Sequence, residues 1–318
     1  MAAFVQKVAA LTGDSTVKLE GQIKQTDLAA IYKAIKEASH KVKLDMSGAT
    51  GISSLPQEAF IGCVKLQEII LPQGITSIGK QAFSVCVALE SVSLPASVAS
   101  IGRDAFDGDT LSSVNVDQGN AVYSSVDGVL FNKDKKTLLF CPRGKSGSFA
   151  IPNGVKVIGQ SAFAWCSNLT GVTIPDGVEK IEERAFDKSG ITSLELPDSV
   201  TVIENNALIN CSSLTSLKLS ANLTTIGSYA FSSIAVESIV IPASVTKIGN
   251  YVFSSSLTSL TFEDPLGWKC TMNGDDWENR TNPITGVNAD FSDPVANATN
   301  FKKTTSGSNP WGMFLWYK

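Results

Sequence analysis

The sequence predicts an α/β solenoid, a right-handed superhelix of about eight stacked coils. Three observations predict it: a pattern of roughly 22–23 residues recurs, an Ala-Phe pair returns once per copy, and Pro and Gly keep fixed offsets from it. LPQGITSIGKQAFSVCVALESVS, from Leu71, aligns position for position with LPASVASIGRDAFDGDTLSSVNV, from Leu94. The pattern resumes at Ile151, Ile174, Leu196, Leu219 and Ile241, at a nearly constant interval. A divergent first unit, Leu44 to Ile70, carries its own Ala59-Phe60 and Cys63. Periods of this length mark architectures in which one supersecondary unit stacks on the next.

Residues 1–43 read as an N-terminal cap. TVKLEG (16–21) and HKVKLDMSG (40–48) have strand character, and Thr26 is placed to cap a helix over about 27–39. Leu28, Ile31, Ile35 and Ala38 form its apolar stripe, with Lys33, Lys36 and Glu37 toward water. Within each coil of 44–116 and 151–262, a segment such as Leu89, Val92 and Leu94 has the apolar spacing of a short buried strand. Pro72, Pro95, Pro152, Pro175, Pro197 and Pro242 end those strands, because proline cannot donate to a ladder. A second apolar pair follows, such as Ile75 and Ile78, and Gly79, Gly102, Gly159, Gly227 and Gly249 suit a tight corner.

A short helical turn is expected around Ala-Phe, at Phe60, Phe83, Phe106, Phe163, Phe186, Phe231 and Phe253, with Leu208 in one coil. No coil can bury its own face, so neighbours stack about 4.8 Å apart and the Phe residues form a continuous core. Residues 117–150 interrupt the array: GVLFN (128–132) and TLLFCP (137–142) flank a polar tip and read as a β-hairpin. Residues 263–318 hold four of the five tryptophans, Trp268, Trp277, Trp311 and Trp316. That Trp-rich tail is expected to fold over the last coil, the other reading being a sugar or membrane contact.

The run LPxxVTSIGxxAFxxCxxLxSVxI resembles the BspA-type leucine-rich repeat, found in bacterial surface proteins and some protist parasites. The resemblance covers residues 44–262 apart from the interruption. NAVYSSVDGVLFNKDKKTLLFCPRGK resembles an insertion recurrent in such arrays, and ADFSDPVANATNFKK resembles the closing segment of some spirochaete members. The chain departs from the common leucine-rich repeat in having Gly74, Ser97, Gly154, Gly177, Ser199, Asn222 and Ser244 in place of an Asn ladder. Backbone turns are therefore expected to hold that corner. The resemblance implies a non-enzymatic cell-surface or secreted adhesion protein, whose partners include extracellular-matrix proteins such as fibronectin or fibrinogen, or neighbouring cells, with a role in virulence.

Composition narrows function. With 26 Lys+Arg against 30 Asp+Glu the chain lacks the basic excess of a nucleic-acid binder. No apolar run reaches the roughly 18–20 residues that cross a bilayer, and the N-terminus lacks signal-peptide features. A mature or expressed fragment, or a cytoplasmic scaffold, are both consistent with that N-terminus. His40 is the one histidine, so most triads and zinc sites would have to run through it. No cofactor is expected.

Cys63, Cys86, Cys166 and Cys211 share one repeat position with Asp109, Ser189, Ile234 and Ser256, which favours small buried thiols over disulfides. Cys141 and Cys270 have no evident partner. Glu179, Glu182 and Glu183 read as surface decoration and Asn273–Asp276 as a turn. An enzyme domain hidden in the C-terminal segment would use carboxylates such as Asp275, Asp276 and Glu278. Sequons at Asn168, Asn210, Asn222, Asn279 and Asn297 arise readily by chance in so Ser- and Thr-rich a chain.

An ordered surface remains. Along the expected concave face one column is small: Ser91, Ser113, Gly171, Ser193, Ser216, Ser238 and Ser259, beginning at Glu68. The other is mixed: Ile70, Ser93, Asn115, Thr173, Glu195, Lys218, Val240 and Thr261. The candidate partner-binding residues are Asn115, Thr173, Glu195, Lys218 and Thr261, with Lys133, Lys135 and Lys136 of the hairpin tip. Arg143 and Lys145 extend that basic patch. The expected partner is a protein, the chain itself a monomer.

Overall fold

The computed structural model describes residues 1–108, 110–266, 268–271, 292, 294, 297 and 315–318. The chain forms two compact units, Met1–Lys145 and Ser146–Lys318.

In the first unit the strands Ser15–Lys18, Val42–Asp45, Leu66–Ile70, Ser91–Leu94 and Ser113–Val116 form a five-stranded parallel sheet. Its register puts Val17, Leu44, Ile69, Val92 and Val114 in one buried row. In the second unit Gly147–Ala150, Leu169–Thr173, Ser193–Glu195 and Ser216–Lys218 form a four-stranded sheet, and Ser238–Ile241 pairs with Ser259–Phe262. Among the described residues the long sheets thus hold eleven rungs, where the repeat alone spells eight coils. Ser15–Lys18, Val42–Asp45 and Gly147–Ala150 are the additional rungs, none of them preceded by the Ala-Phe landmark.

A second side of each coil is a two-residue parallel strand, for example Ser77–Ile78 beside Ser100–Ile101, or Lys180–Ile181 beside Val202–Ile203. Between the two sides Pro72, Pro95, Pro197 and Pro242 each accept, at the carbonyl, the N–H of the Val or Ile three residues on.

The third side corrects the expected helical turn. The Ala-Phe segments are bends in which residues two before and two after the Phe are left-handed: Gln81 (φ 55°) and Val85 (φ 59°) around Phe83, Ser161 and Trp165 around Phe163, Arg184 and Lys188 around Phe186. This alternation turns every second N–H toward the next coil. The Gln81, Phe83 and Val85 amides donate to the carbonyls of Arg103, Ala105 and Asp107, and those of Ser161, Phe163 and Trp165 to Glu183, Ala185 and Asp187. A helix would satisfy these groups internally and leave the coils unlinked on this side. Among the described residues helix is therefore confined mainly to Ala2–Ala9, which the sequence did not flag, and Leu28–Lys36. The chain is a β-solenoid with little helix.

The corner glycines also act differently from expectation. Gly79, Gly102, Gly227 and Gly249 have no positive φ; a Cβ on Gly79 would lie 2.4 Å from the Pro56 carbonyl carbon and one on Gly249 2.3 Å from the Ser228 nitrogen. They are small because the neighbouring coil's backbone passes there. The Asn-ladder position is held partly by side chains after all. Ser97 donates to the Ile75 carbonyl at 2.6 Å, Asn222 to Asp198 at 3.0 Å and Ser244 to Ala221 at 2.7 Å. Asn120, fully buried, donates to the Pro95 and Val98 carbonyls.

The Phe column is the core. Phe60 and Phe83 stack at 5.6 Å, Phe83 and Phe106 at 5.9 Å, and Phe140 of the insertion adds a tilted ring at 6.0 Å from Phe106. In the second unit Phe149, Phe163 and Phe186 form a separate stack, and Phe231 meets Phe253 at 6.3 Å beyond Leu208.

The N-terminal helix Leu28–Lys36 buries Leu28, Ile31, Ala34 and Ile35. Thr26 is inside a 3-10 turn, Gln25–Asp27, so it is not the cap: Asp27 Oδ2 accepts the Lys24 N–H instead. His40 sits half-buried between this helix and the strand that follows.

At the other end Leu315–Tyr317 pairs antiparallel with Lys247–Ile248 and with Lys269–Thr271. Trp316 and Trp268 are buried, Trp268 edge-on to Phe262 at 5.6 Å, so these two close the last coil and neither is presented to a sugar or membrane. Trp277, Trp311, Asp109, Asp275, Asp276, Glu278 and Asn279 lie outside the described residues.

Candidate binding surface

Strand register turns the two sequence columns into physical rows. Glu68, Ser91 and Ser113 are direct neighbours in the first unit, as are Ser148, Gly171, Ser193 and Ser216 in the second, and Ser238 pairs with Ser259. The second row brings Ile70, Ser93 and Asn115 together, then Ala150 with Thr173, Glu195 with Lys218, and Val240 with Thr261. The alternation is strict because a strand's side-chain period is two: every second residue faces out while Val92, Leu194 and Leu260, between them, face the core. Asn115, Thr173, Glu195 and Lys218 are exposed and Thr261 is half-buried.

The charges on these rows are paired along the solenoid. The Lys218 ammonium donates to Glu195 Oε1, which raises the lysine pKa, and Lys43 meets Glu68 at 3.4 Å. Lys18 lies 3.7 Å from Asp45, whose carboxyl is held below its usual range chiefly by the Ser47 hydroxyl and amide. Exposed pairs of this kind add little stability. They do make the face nearly neutral, so shape and hydroxyl groups dominate what it presents.

The insertion is a three-stranded meander, Tyr123–Val126, Val129–Asn132 and Thr137–Phe140. Its first strand and its Asp127-Gly128 turn go beyond the expected hairpin, although Asp-Gly between β-rich runs is a strong signal for one; both turn residues have positive φ. Gly128 packs on Ser113, and its carbonyl accepts the Val114 N–H at 2.9 Å. The meander therefore lies against the strand that carries Asn115.

The basic tip is largely tied down. Lys133 donates to the Gln118 carbonyl at 3.0 Å, Lys145 to Asp127 at 2.7 Å, and Arg143 is ion-paired with Asp107. Lys135 and Lys136 are exposed on the turn. Glu179, Glu182 and Glu204 are likewise met by Lys156 and Lys180.

The side chains with most recognition chemistry stand elsewhere, on the left-handed bends. Trp165 is 45% exposed, and Tyr229 and Tyr251 stack at 5.0 Å in successive coils. This face leaves no mark in the sequence, because residues there share a backbone conformation and no side-chain type.

A regular β-solenoid with an exposed parallel sheet and a Phe-stacked interior is the architecture of a repeat protein. The BspA-type leucine-rich repeat region matches in six copies over residues 42–135 and 137–260, and the chain belongs to that family.

Among solved structures it is similar to a leucine-rich repeat protein from Bacteroides ovatus (28% identity, TM-score 0.49, 68% of this chain and 54% of that one). It is similar also to the pneumococcal vaccine antigen PcpA (24%, 0.48, 78% and 62%). A third is a leucine-rich cell surface protein from Faecalibacterium prausnitzii (24%, 0.46, 71% and 64%). The chain spans less than two thirds of the length of each. No curated protein matches it significantly. No helix among the described residues is long and apolar enough to cross a membrane.

Proposed function

We propose that this chain is a non-enzymatic recognition protein of the cell surface or secreted fraction, which binds a protein partner through the outward face of its long sheets. The observation that carries the reading is the in-register small row, Ser148, Gly171, Ser193 and Ser216, beside Thr173, Glu195 and Lys218. Such a row lets a partner's backbone approach the sheet closely, and the paired charge at its border fixes orientation. Extracellular-matrix proteins such as fibronectin or fibrinogen are the first partners to test, since the family resemblance points there.

The test is immobilised fibronectin and fibrinogen against the chain and against Ser193→Arg with Ser216→Arg. Arginine there blocks close approach while leaving the core untouched, so binding should fall at least about tenfold. Retention of full binding by that variant overturns the sheet face. Loss only on Lys135→Ser with Lys136→Ser moves the site to the meander.

An intracellular scaffold is the second reading, favoured by Cys63, Cys86 and Cys211 standing as buried reduced thiols. Protease shaving of intact source cells separates the two. Peptides cut at Lys133, Lys135 or Lys136 while cytoplasmic markers survive place the protein outside; protection until lysis supports the scaffold.

A further inference from the structure

On the bend side of the second unit, Trp165, Lys188, Asn210 and Ser233 occupy one left-handed position in four successive coils. The stack is held by backbone: the Trp165 N–H donates to the Asp187 carbonyl, that of Lys188 to Ile209 and that of Asn210 to Ser232. Lys188 reaches back so that its ammonium sits 3.6 Å from the centroid of the Trp165 ring. Beside this pair opens a recess of about 380 Å³, at the small end of ligand sites, lined by Ser167, Lys188, Asn210, Ser212, Ser213 and Ser233.

The chemistry of the lining selects the ligand. No large apolar side chain reaches the recess, so it offers a hydrocarbon ligand nothing; hydroxyls, one amide and one ammonium offer alternating donors and acceptors at short spacing. Lys188 is the one charged residue of the lining. Lys188 has no ion pair among the described residues, and the adjacent Asp187 is buried, its carboxylate accepting the Asn210 amide at 3.2 Å. The lysine ammonium is held in place over the indole, which limits the entropy lost when it engages an anion. A ligand with many hydroxyls and one anionic group is an acidic sugar.

We infer that the recess beside Trp165 and Lys188 is a saccharide site that takes a carboxylate- or sulfate-bearing sugar residue, independent of the protein-binding sheet face.

The experiment is saturation-transfer NMR and calorimetric titration of the full chain with 3′-sialyllactose, a hyaluronan oligosaccharide and a heparin oligosaccharide. Lactose serves as the neutral comparator. At least one acidic probe is expected to bind more tightly than lactose and to weaken as salt is raised. Lys188→Gln should lower that affinity about tenfold, the size of one lost charge contact, and Trp165→Ala should lower it similarly, both with an unchanged melting temperature. Response to the hyaluronan or sialyl probe identifies the carboxylate, and response to heparin alone the sulfate; either supports the site. Binding no tighter than lactose, binding that survives both substitutions, or no binding by any probe overturns it. Fibronectin or fibrinogen binding measured in the same variants should not move, which keeps this test distinct from that of the sheet face.

Discussion

At the scale of single residues, the cysteines show how one repeat position can be filled by several side chains for one reason. Cys86 donates its S–H to the Phe60 carbonyl at 3.0 Å and Cys211 to Phe186 at 2.9 Å, each reaching back one coil. Ser256 also reaches back one coil, but to the carbonyl of Ile234, three residues past Phe231, at 2.5 Å. A small donor suits the site, which is why Cys and Ser interchange there, although Ile234 shows that an apolar side chain also fits. Burial pushes the Cys63 and Cys86 thiols up to about 12 and that of Cys211 up to about 11.

Two outcomes follow from those raised values. In the native protein these thiols should resist iodoacetamide near pH 8 and become labelled on unfolding, as read by peptide mass mapping. Between about pH 9, where an unfolded thiol loses its proton, and about 12, the folded state binds more protons than the unfolded one. Stability is thus complete below about 9 and declines as pH rises through that window. Urea midpoints near pH 8 and pH 10.5 should show the decline, and Cys63→Ser with Cys86→Ser should reduce its slope. An equal slope in the variant would assign the alkaline loss to other groups.

At the scale of the element, the bend on either side of Phe sets two substitutions in opposite directions. A Cβ at Gly227 would lie 2.4 Å from the Asn205 nitrogen, so Gly227→Ala forces neighbouring coils apart and should cost roughly 1–3 kcal/mol. Val85, 54% exposed, is a β-branched residue at φ 59°, a conformation disfavoured by roughly 1–2 kcal/mol. Val85→Gly removes that strain, and after the extra chain entropy of glycine it should still raise stability by a few tenths to about 1 kcal/mol. Chemical denaturation of both variants checks the pair, since it is the opposite sign that identifies close approach in one case and backbone strain in the other.

The same element marks the boundary of what the sequence makes legible. The Phe stack, the strand rows and the proline ends were readable because each depends on a side-chain type that recurs. The left-handed bends were not. Gln81, Asp104, Ser161, Arg184, Asn206, Tyr229 and Tyr251 share a positive φ and nothing else, their conformation being imposed by amide ladders between coils. For that reason the two sheet rows are legible in the sequence, while the pairing of Trp165 with Lys188 and the recess exist only in the fold.

At the scale of the whole molecule, each coil touches its neighbours alone, so stability is close to a sum of local and nearest-neighbour contributions. Phe163 and Phe186, stacked at 5.0 Å with planes 7° apart, are a strong link in the second unit. Phe186→Ala removes a fully buried ring and should cost that unit roughly 3–5 kcal/mol. The loss should stay within Ser146–Lys318. Hydrogen exchange followed by mass spectrometry is the measurement: amides of the bend ladder at Phe163, Phe186 and Leu208 should lose protection, whereas those at Phe60 and Phe83 keep theirs. Protection falling equally at all five would show the two compact units unfolding as one cooperative body. The local result has a functional corollary, because a lesion that loosens the coils bearing Ser193, Ser216 and Lys188 would then impair both proposed surfaces while the meander with Lys135 and Lys136 stays intact.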